Sequence, residues 1–224
     1  MNTGFAARAA AAFIALFGLL FFVADLALRF KGISTDWLIG VPLVLLLLQY
    51  LLGPWIIERL LDIDWQDHLP ARNRQFLEQA CAQHGLPVPR IGVIDDLAPN
   101  AFTYGRLRSD ARIVVTRGLL QLLTPEEANA VIAHELGHIK HNDFLVTTAA
   151  AIVPLLIYQL YRLAVAWDDE RIRWVAYACY WVSEFLVLAL SRSREYMADR
   201  FAGQATGTPD LLASGLVKIS YGLA

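Results

Sequence analysis

Four apolar runs, each long enough to cross a bilayer, constrain this chain more than any other feature. A spanning helix needs about 20 apolar residues, and runs of that length occupy residues 9–28, 37–57, 144–167 and 172–190. Inside hydrocarbon the backbone must satisfy its own hydrogen bonds, so each run is read as a helix. The chain is 57% hydrophobic and only 18% charged, a balance that ordinary soluble domains do not reach. Asp25 interrupts the first run near its end, and Arg8 ahead of it suggests a signal peptide. The run exceeds a signal's apolar core of about 7–15 residues, so a retained span is expected. Pro42, Gly53 and Pro54 mark kinks in the second run, and Asp168-Asp169-Glu170-Arg171 is the polar turn joining the third and fourth. A net charge of −2 speaks against a nucleic-acid partner. Cys81 and Cys179 fall in a polar and an apolar segment and define no disulfide framework.

Between the second and third runs the chain reads as a soluble domain. Leu61 to Gly85 predicts a helix, with Leu69, Phe76, Leu77 and Ala80 on one side. Leu86-Pro87-Val88-Pro89 ends it, and Arg90 to Ile94 reads as a strand. Asn100 to Gly105 is an edge strand or extended loop, Ala111 to Thr116 a further strand, and Gly118 to Leu123 a short helix. Thr124-Pro125-Glu126-Glu127 then gives an N-cap, a Pro at N1 and an acidic first turn for the next helix. Beyond the fourth run, residues 191–200 are helical and Thr208-Pro209-Asp210 opens another helix. The chain reaches Ala224 within an apolar helical pattern, so a further C-terminal portion is expected.

The helix after Thr124 carries His134-Glu135-Leu136-Gly137-His138. A spacing of four puts both imidazoles on one face, where they can share a metal, and Glu135 beside it can take a proton from a bound water. Zinc suits two imidazoles with an open position. A three-histidine site would need Gly at 141 and His at 144, where this chain has His141 and Phe144. The best remaining third ligand is Glu195. Asp199, four residues on, shares its face, so one carboxylate can bind metal while the other orients a histidine. His141, Tyr196 and Arg192 are candidate oxyanion donors, with no choice among them; His141, like His68 and His84, also reads as a solvated histidine. His138 precedes Phe144 by six residues and Leu190 precedes Glu195 by five, so each ligand lies about 10 Å from a span end, near the membrane surface. Glu184 lies inside the fourth run, where an ionisable group is costly. It either lines a polar cavity on the Glu195 face or is paired along its own helix.

Together with Ser191-Arg192-Ser193-Arg194-Glu195-Tyr196-Met197-Ala198-Asp199, the histidine motif resembles peptidase family M48, the integral-membrane zinc metallopeptidases. Pro99-Asn100-Ala101-Phe102 and Gly118-Leu119-Leu120-Gln121 match further patterns of that family. The chain is more similar to its HtpX-type members than to the Ste24-type CAAX proteases. The resemblance implies a mainly α membrane protein, with four transmembrane helices and a zincin-like α+β domain containing a small sheet. Residues 1–58 and 144–190 would be membrane hairpins, and 59–143 and 191–224 the catalytic domain. His134, His138 and Glu195 would bind Zn2+, Glu135 would be general base, and Asp199 would orient a ligand histidine. Asn100, Ala101 and Phe102 would hold substrate by strand addition.

The function so implied is a zinc endopeptidase that cleaves membrane-associated or misfolded membrane proteins in quality control, with polypeptides and the bilayer as partners. Processing of prenylated CAAX proteins is the alternative, disfavoured because Ste24-type enzymes carry more spans. A non-catalytic scaffold is a third reading, against which Glu135 speaks. Arg8, Arg59, Arg72, Arg74, Lys140, Arg192 and Arg194 flank the spans on the metal side, against Arg29, Lys31, Arg171 and Arg173 opposite. The positive-inside rule favours an active site facing the cytoplasm; the resemblance points the same way and implies a bacterial inner membrane.

Overall fold

Fold and register follow from where β-branched runs alternate with helical ones. A computed structural model describes residues 35–66, 69–166 and 170–221. The first apolar run, His68 and the Asp168-Asp169 turn lie outside the described residues. In chain order the elements are α1 (Thr35–Leu60), β1 (Ile63–Asp64), α2 (Ala71–His84), β2 (Arg90–Ile94), β3 (Ala101–Tyr104), a 3₁₀ turn (Arg108–Asp110), β4 (Arg112–Thr116), α3 (Arg117–Leu122), α4 (Pro125–Lys140), α5 (Asp143–Ala166), α6 (Glu170–Thr206) and α7 (Asp210–Tyr221). Among the described residues, three helices are long and apolar enough to cross a membrane: α1, α5 and α6.

The chain divides into two compact units. One comprises Gly53–Leu145 with the segment from Arg192 onward, and it contains the sheet. Strand order is β1-β2-β4-β3. β4, Arg-Ile-Val-Val-Thr, takes an interior place because Ile113, Val114 and Val115 are fully buried, and a strand covered on both faces must be apolar throughout. It runs parallel to β2, with Arg90 opposite Arg112 and Ile94 opposite Thr116. β3 pairs antiparallel on its other side, with Ala101 opposite Val115, and so forms a sheet edge.

The metal-motif helix α4 runs through this unit, with Ala130, Ile132, Ala133, Leu136 and Ile139 fully buried. Thr124 caps it as expected: its hydroxyl accepts the Glu127 N–H at 3.3 Å while Glu127 Oε2 accepts the Thr124 N–H at 2.9 Å. Glu127 also receives Ser214 at 2.7 Å and Lys218 at 2.8 Å, both from α7. Burial works to raise its pKa, but these bonds win and lower it to about 2. On the opposite flank, buried Asn73 of α2 donates to Pro125 O at 2.9 Å and Asn129 Oδ1 at 2.7 Å.

A helix from Leu61 onward is not what forms. Ile63–Asp64 pairs antiparallel with β2, Asp64 Oδ1 accepts the Gln66 N–H at 2.8 Å, and α2 begins after Pro70, its N-cap. The periodicity is real, but a residue preceding proline is biased away from the α region, which separates the two elements.

In the other unit, α5 and α6 meet through tyrosines. The Tyr158–Tyr180 and Tyr161–Tyr177 ring pairs are each 5.7 Å apart. The fourth apolar run and the helix expected at 191–200 are one continuous helix, α6. Glu184 is hydrogen-bonded to Tyr180 four residues earlier, the paired reading of that residue.

Candidate metal centre

α4 aims both histidines inward from one face. Their Nε2 atoms are 3.2 Å apart, and Glu195 Oε2 lies 3.5 Å from His134 Nε2 and 3.9 Å from His138 Nε2. A tetrahedral zinc with bonds of about 2.0–2.2 Å separates its donors by roughly 3.3–3.5 Å. The 3.2 and 3.5 Å separations match that spacing and the 3.9 Å one needs to close by only about 0.4 Å, so two imidazoles and a carboxylate can share a single ion and leave a fourth position for water.

Each ring is gripped from behind. His138 Nδ1 lies 2.6 Å from Asp143 Oδ2, and His134 Nδ1 lies 2.9 Å from Asp199 Oδ1, a contact not yet aligned as a formed hydrogen bond. A carboxylate behind each ring selects the tautomer that presents Nε2 as a ligand. Burial alone would depress the His138 pKa; the Asp143 bond and the charges of Glu135 and Glu195 override it and raise it. The buried Asp143 carboxyl lies between His138 and Arg194. Arg194, itself buried, approaches that carboxylate with Nε at 3.2 Å from Oδ2.

Why α6 can deliver Glu195 and Asp199 so close is written in Gly137. A Cβ there would lie 2.8 Å from Ala198 Cα and 3.2 Å from its carbonyl oxygen. The two helices touch backbone to backbone at a point between the two histidines of one and the two carboxylates of the other. Glu135, 8% exposed, is held by the sheet edge: Thr103 Oγ1 donates to its Oε2 at 2.6 Å. Oε1 has no protein partner among the described residues.

A metal-ready His-His-Glu set, beside a glutamate and an edge strand, meets its counterpart in known sequences. Residues 69–223 match the profile of Peptidase family M48. The chain belongs to that family. It is 34% identical over 213 residues to "Protease HtpX homolog" of Methanothermobacter thermautotrophicus, covering 92% of this chain and 82% of that one. It is 39% identical over 157 residues to "Protease HtpX homolog 2" of Methanosarcina acetivorans, where the match spans 65% of this chain and 53% of the relative. In fold it resembles the crystal structure of S. mikatae Ste24p, with a TM-score of 0.65 and 19% identity, covering 96% of this chain and 58% of the other. The chain thus spans four fifths of one relative's length and little over half of the others. M48 membership and the apolar helices make it a member of a membrane metalloprotease family, and a metal belongs to its site.

The expected residues divide cleanly in space. His134, His138, Glu195 and Asp199 come together, with Glu135 adjacent in the helix. Asn100 sits just before β3 with its backbone tied to Thr116: its N–H donates to Thr116 Oγ1, and its carbonyl accepts the Thr116 N–H, each at 2.9 Å. Ala101 and Phe102 occupy the edge strand itself. Three residues that contact this set carry no assigned role in the sequence reading: Asp143, Arg194 and Thr103. Asp143 had one sequence signal. Asn142 takes a left-handed φ of 55°, which Asn tolerates better than most residues. The turn it makes separates α4 from α5, and Asp143 returns to His138.

Proposed function

We propose that this chain is a zinc endopeptidase acting on membrane-associated or misfolded membrane polypeptides from the cytoplasmic side of a cell membrane. The observation that carries the catalytic reading is the convergence of the His134, His138 and Glu195 donors within 4.8 Å of one another, with Glu135 fixed beside them. His134, His138 and Glu195 would hold the ion, with Asp199 and Asp143 setting the two rings. Zinc, when bound, supplies Lewis acidity and brings water near neutral pKa.

The protein groups then do the proton work. Thr103 occupies Glu135 Oε2 and leaves Oε1 to receive the proton of the attacking water. The same oxygen can return it to the leaving amine, so Glu135 ends the cycle ionised. Backbone groups on the open side of β3 would hold the substrate extended across the site, with Asn100, Ala101 and Phe102 at its near end. Membrane substrates are favoured because apolar helices follow the histidine motif directly and precede Glu195 on the same helix.

The deciding experiment uses the purified full-length chain with casein and a membrane-inserted substrate. Cleavage should disappear on chelation, return with stoichiometric zinc, and be absent in Glu135→Gln while zinc content is unchanged. Zinc-loaded protein that cleaves neither substrate would sink the protease reading and leave a binding scaffold.

A further inference from the structure

The carboxyl end of α4 and the facing side of α6 gather three nitrogen groups that have no hydrogen-bond acceptor among the described residues. Lys140 Nζ stands 4.5 Å from the centroid of the Phe201 ring, and His84 packs edge-on to the same ring at 4.7 Å. On α6, Met197, Arg200, Phe201 and Gln204 follow at offsets of three, four and seven residues, so they share one face. With Lys140 and His141 they line a cleft of about 260 Å³. Neither Lys140 nor Arg200 has a carboxylate partner among the described residues. His141 Nδ1 is buried with no hydrogen-bond partner.

Arg200 is exposed and Lys140 half-buried, so the cleft presents two cations to whatever enters it, while His141 Nδ1 has lost its water. Two cations on one cleft repel, and a buried ring nitrogen without a partner has lost its hydration for nothing. One ligand would relieve all three: a small anion with several acceptor oxygens, attached to an apolar body that can lie on Met197 and Phe201. A guanidinium fork, an ammonium and an imidazole N–H together match a phosphoryl group. The last carbonyls of α4 place a fractional negative charge nearby, which two full cations outweigh.

We propose that this cleft is a phosphoryl-anion site, separate from the metal centre. Its Lys140 and His141 stand just ahead of Asp143, the first residue of a candidate membrane span. The phosphoryl group can therefore come from an anionic phospholipid headgroup or from free phosphate.

The test uses the full-length zinc-loaded protein in phosphatidylcholine nanodiscs. One arm titrates fluorescent phosphatidic acid and the other inorganic phosphate. Wild type is compared with the pair Lys140→Gln/Arg200→Gln and with the charge-matched pair Arg72→Gln/Arg108→Gln; zinc content and circular dichroism establish that all three are folded. Saturable binding in either arm should weaken about tenfold or more in the cleft pair and stay close to wild type in the control. Phosphatidic acid bound and not displaced by millimolar phosphate supports the site with lipid as its source; phosphate bound in the absence of anionic lipid supports it with free phosphate. Equal weakening in both pairs, no weakening in the cleft pair, or no saturable binding in either arm overturns the proposal.

Discussion

Replacing Gly137 with alanine sets two physical effects against each other, and their sum reveals what holds the metal centre together. In an unconstrained helix interior the change should stabilise by about 1 kcal/mol, because glycine is the more costly residue there. Here the new methyl would sit 2.8 Å from Ala198 Cα, whereas carbon atoms prefer about 3.5–4.0 Å. α6 would have to retreat by at least about 0.7 Å, since the obstructing atoms are backbone and no rotamer can clear them. α4 cannot yield instead, because Leu136 and Ile139 beside the glycine are fully buried. Overpacking of this kind costs about 1–3 kcal/mol, enough to cancel or reverse the propensity gain. The sharper effect falls on the ligands. Glu195 and Asp199 ride on α6 with Ala198, so the 3.5 and 3.9 Å separations from the histidines would widen together. A displacement near 1 Å at a reacting centre costs on the order of 100-fold in rate. Zinc affinity by chelator competition, melting of the metal-free protein and peptidase rate should be measured on one preparation. The reasoning predicts weaker zinc binding and a large loss of rate, with no gain in melting temperature. A Gly137→Ala protein that melts higher and keeps wild-type zinc affinity would refute it.

Three further perturbations have definite signs. Asp143→Asn should weaken zinc binding by about 10–100-fold, as loss of a carboxylate behind a ligand histidine does; it also strips Arg194 of its anionic neighbour, so Arg194→Met should cost less stability in that background than alone. Thr103→Val removes the 2.6 Å bond to Glu135 and should lower kcat by roughly 10–160-fold, the equivalent of about 1.5–3 kcal/mol for a hydrogen bond to a charged group, with zinc content unchanged. Glu127, depressed from 4.5 to about 2, contributes stability that is complete above pH 4.5 and is lost as pH falls towards 2. By linkage this is about 3 kcal/mol at most, so between pH 5 and pH 2.5 the melting temperature of wild type should fall more steeply than that of Glu127→Gln; parallel profiles would show that the α4–α7 link carries no such term.

What could be read from the sequence was what rests on short-range pattern. His134 and His138 announce themselves because helical spacing alone puts them on one face, and Thr124 to Glu127 because capping is local. Glu195 and Asp199 were legible for a different reason: their spacing of four on one helix restricts what two carboxylates can do. The strand at Ile63–Asp64 was hidden because its partner is β2, some thirty residues on, and a two-residue strand has no period to detect. Asp143, Arg194 and Thr103 were hidden for the same reason in three dimensions, since each acts through a contact made only when a turn, a second helix or a sheet edge arrives. Gly137 joins the two kinds of information. Within the motif it looks like a variable position, because the metal asks nothing of it. Folding gives it a role, since only a residue without a side chain lets α6 come near enough to supply what the two histidines lack. A motif of this kind therefore records the metal chemistry in its outer residues and the helix packing in its middle, and the second record becomes readable only once Ala198 is known to lie against it.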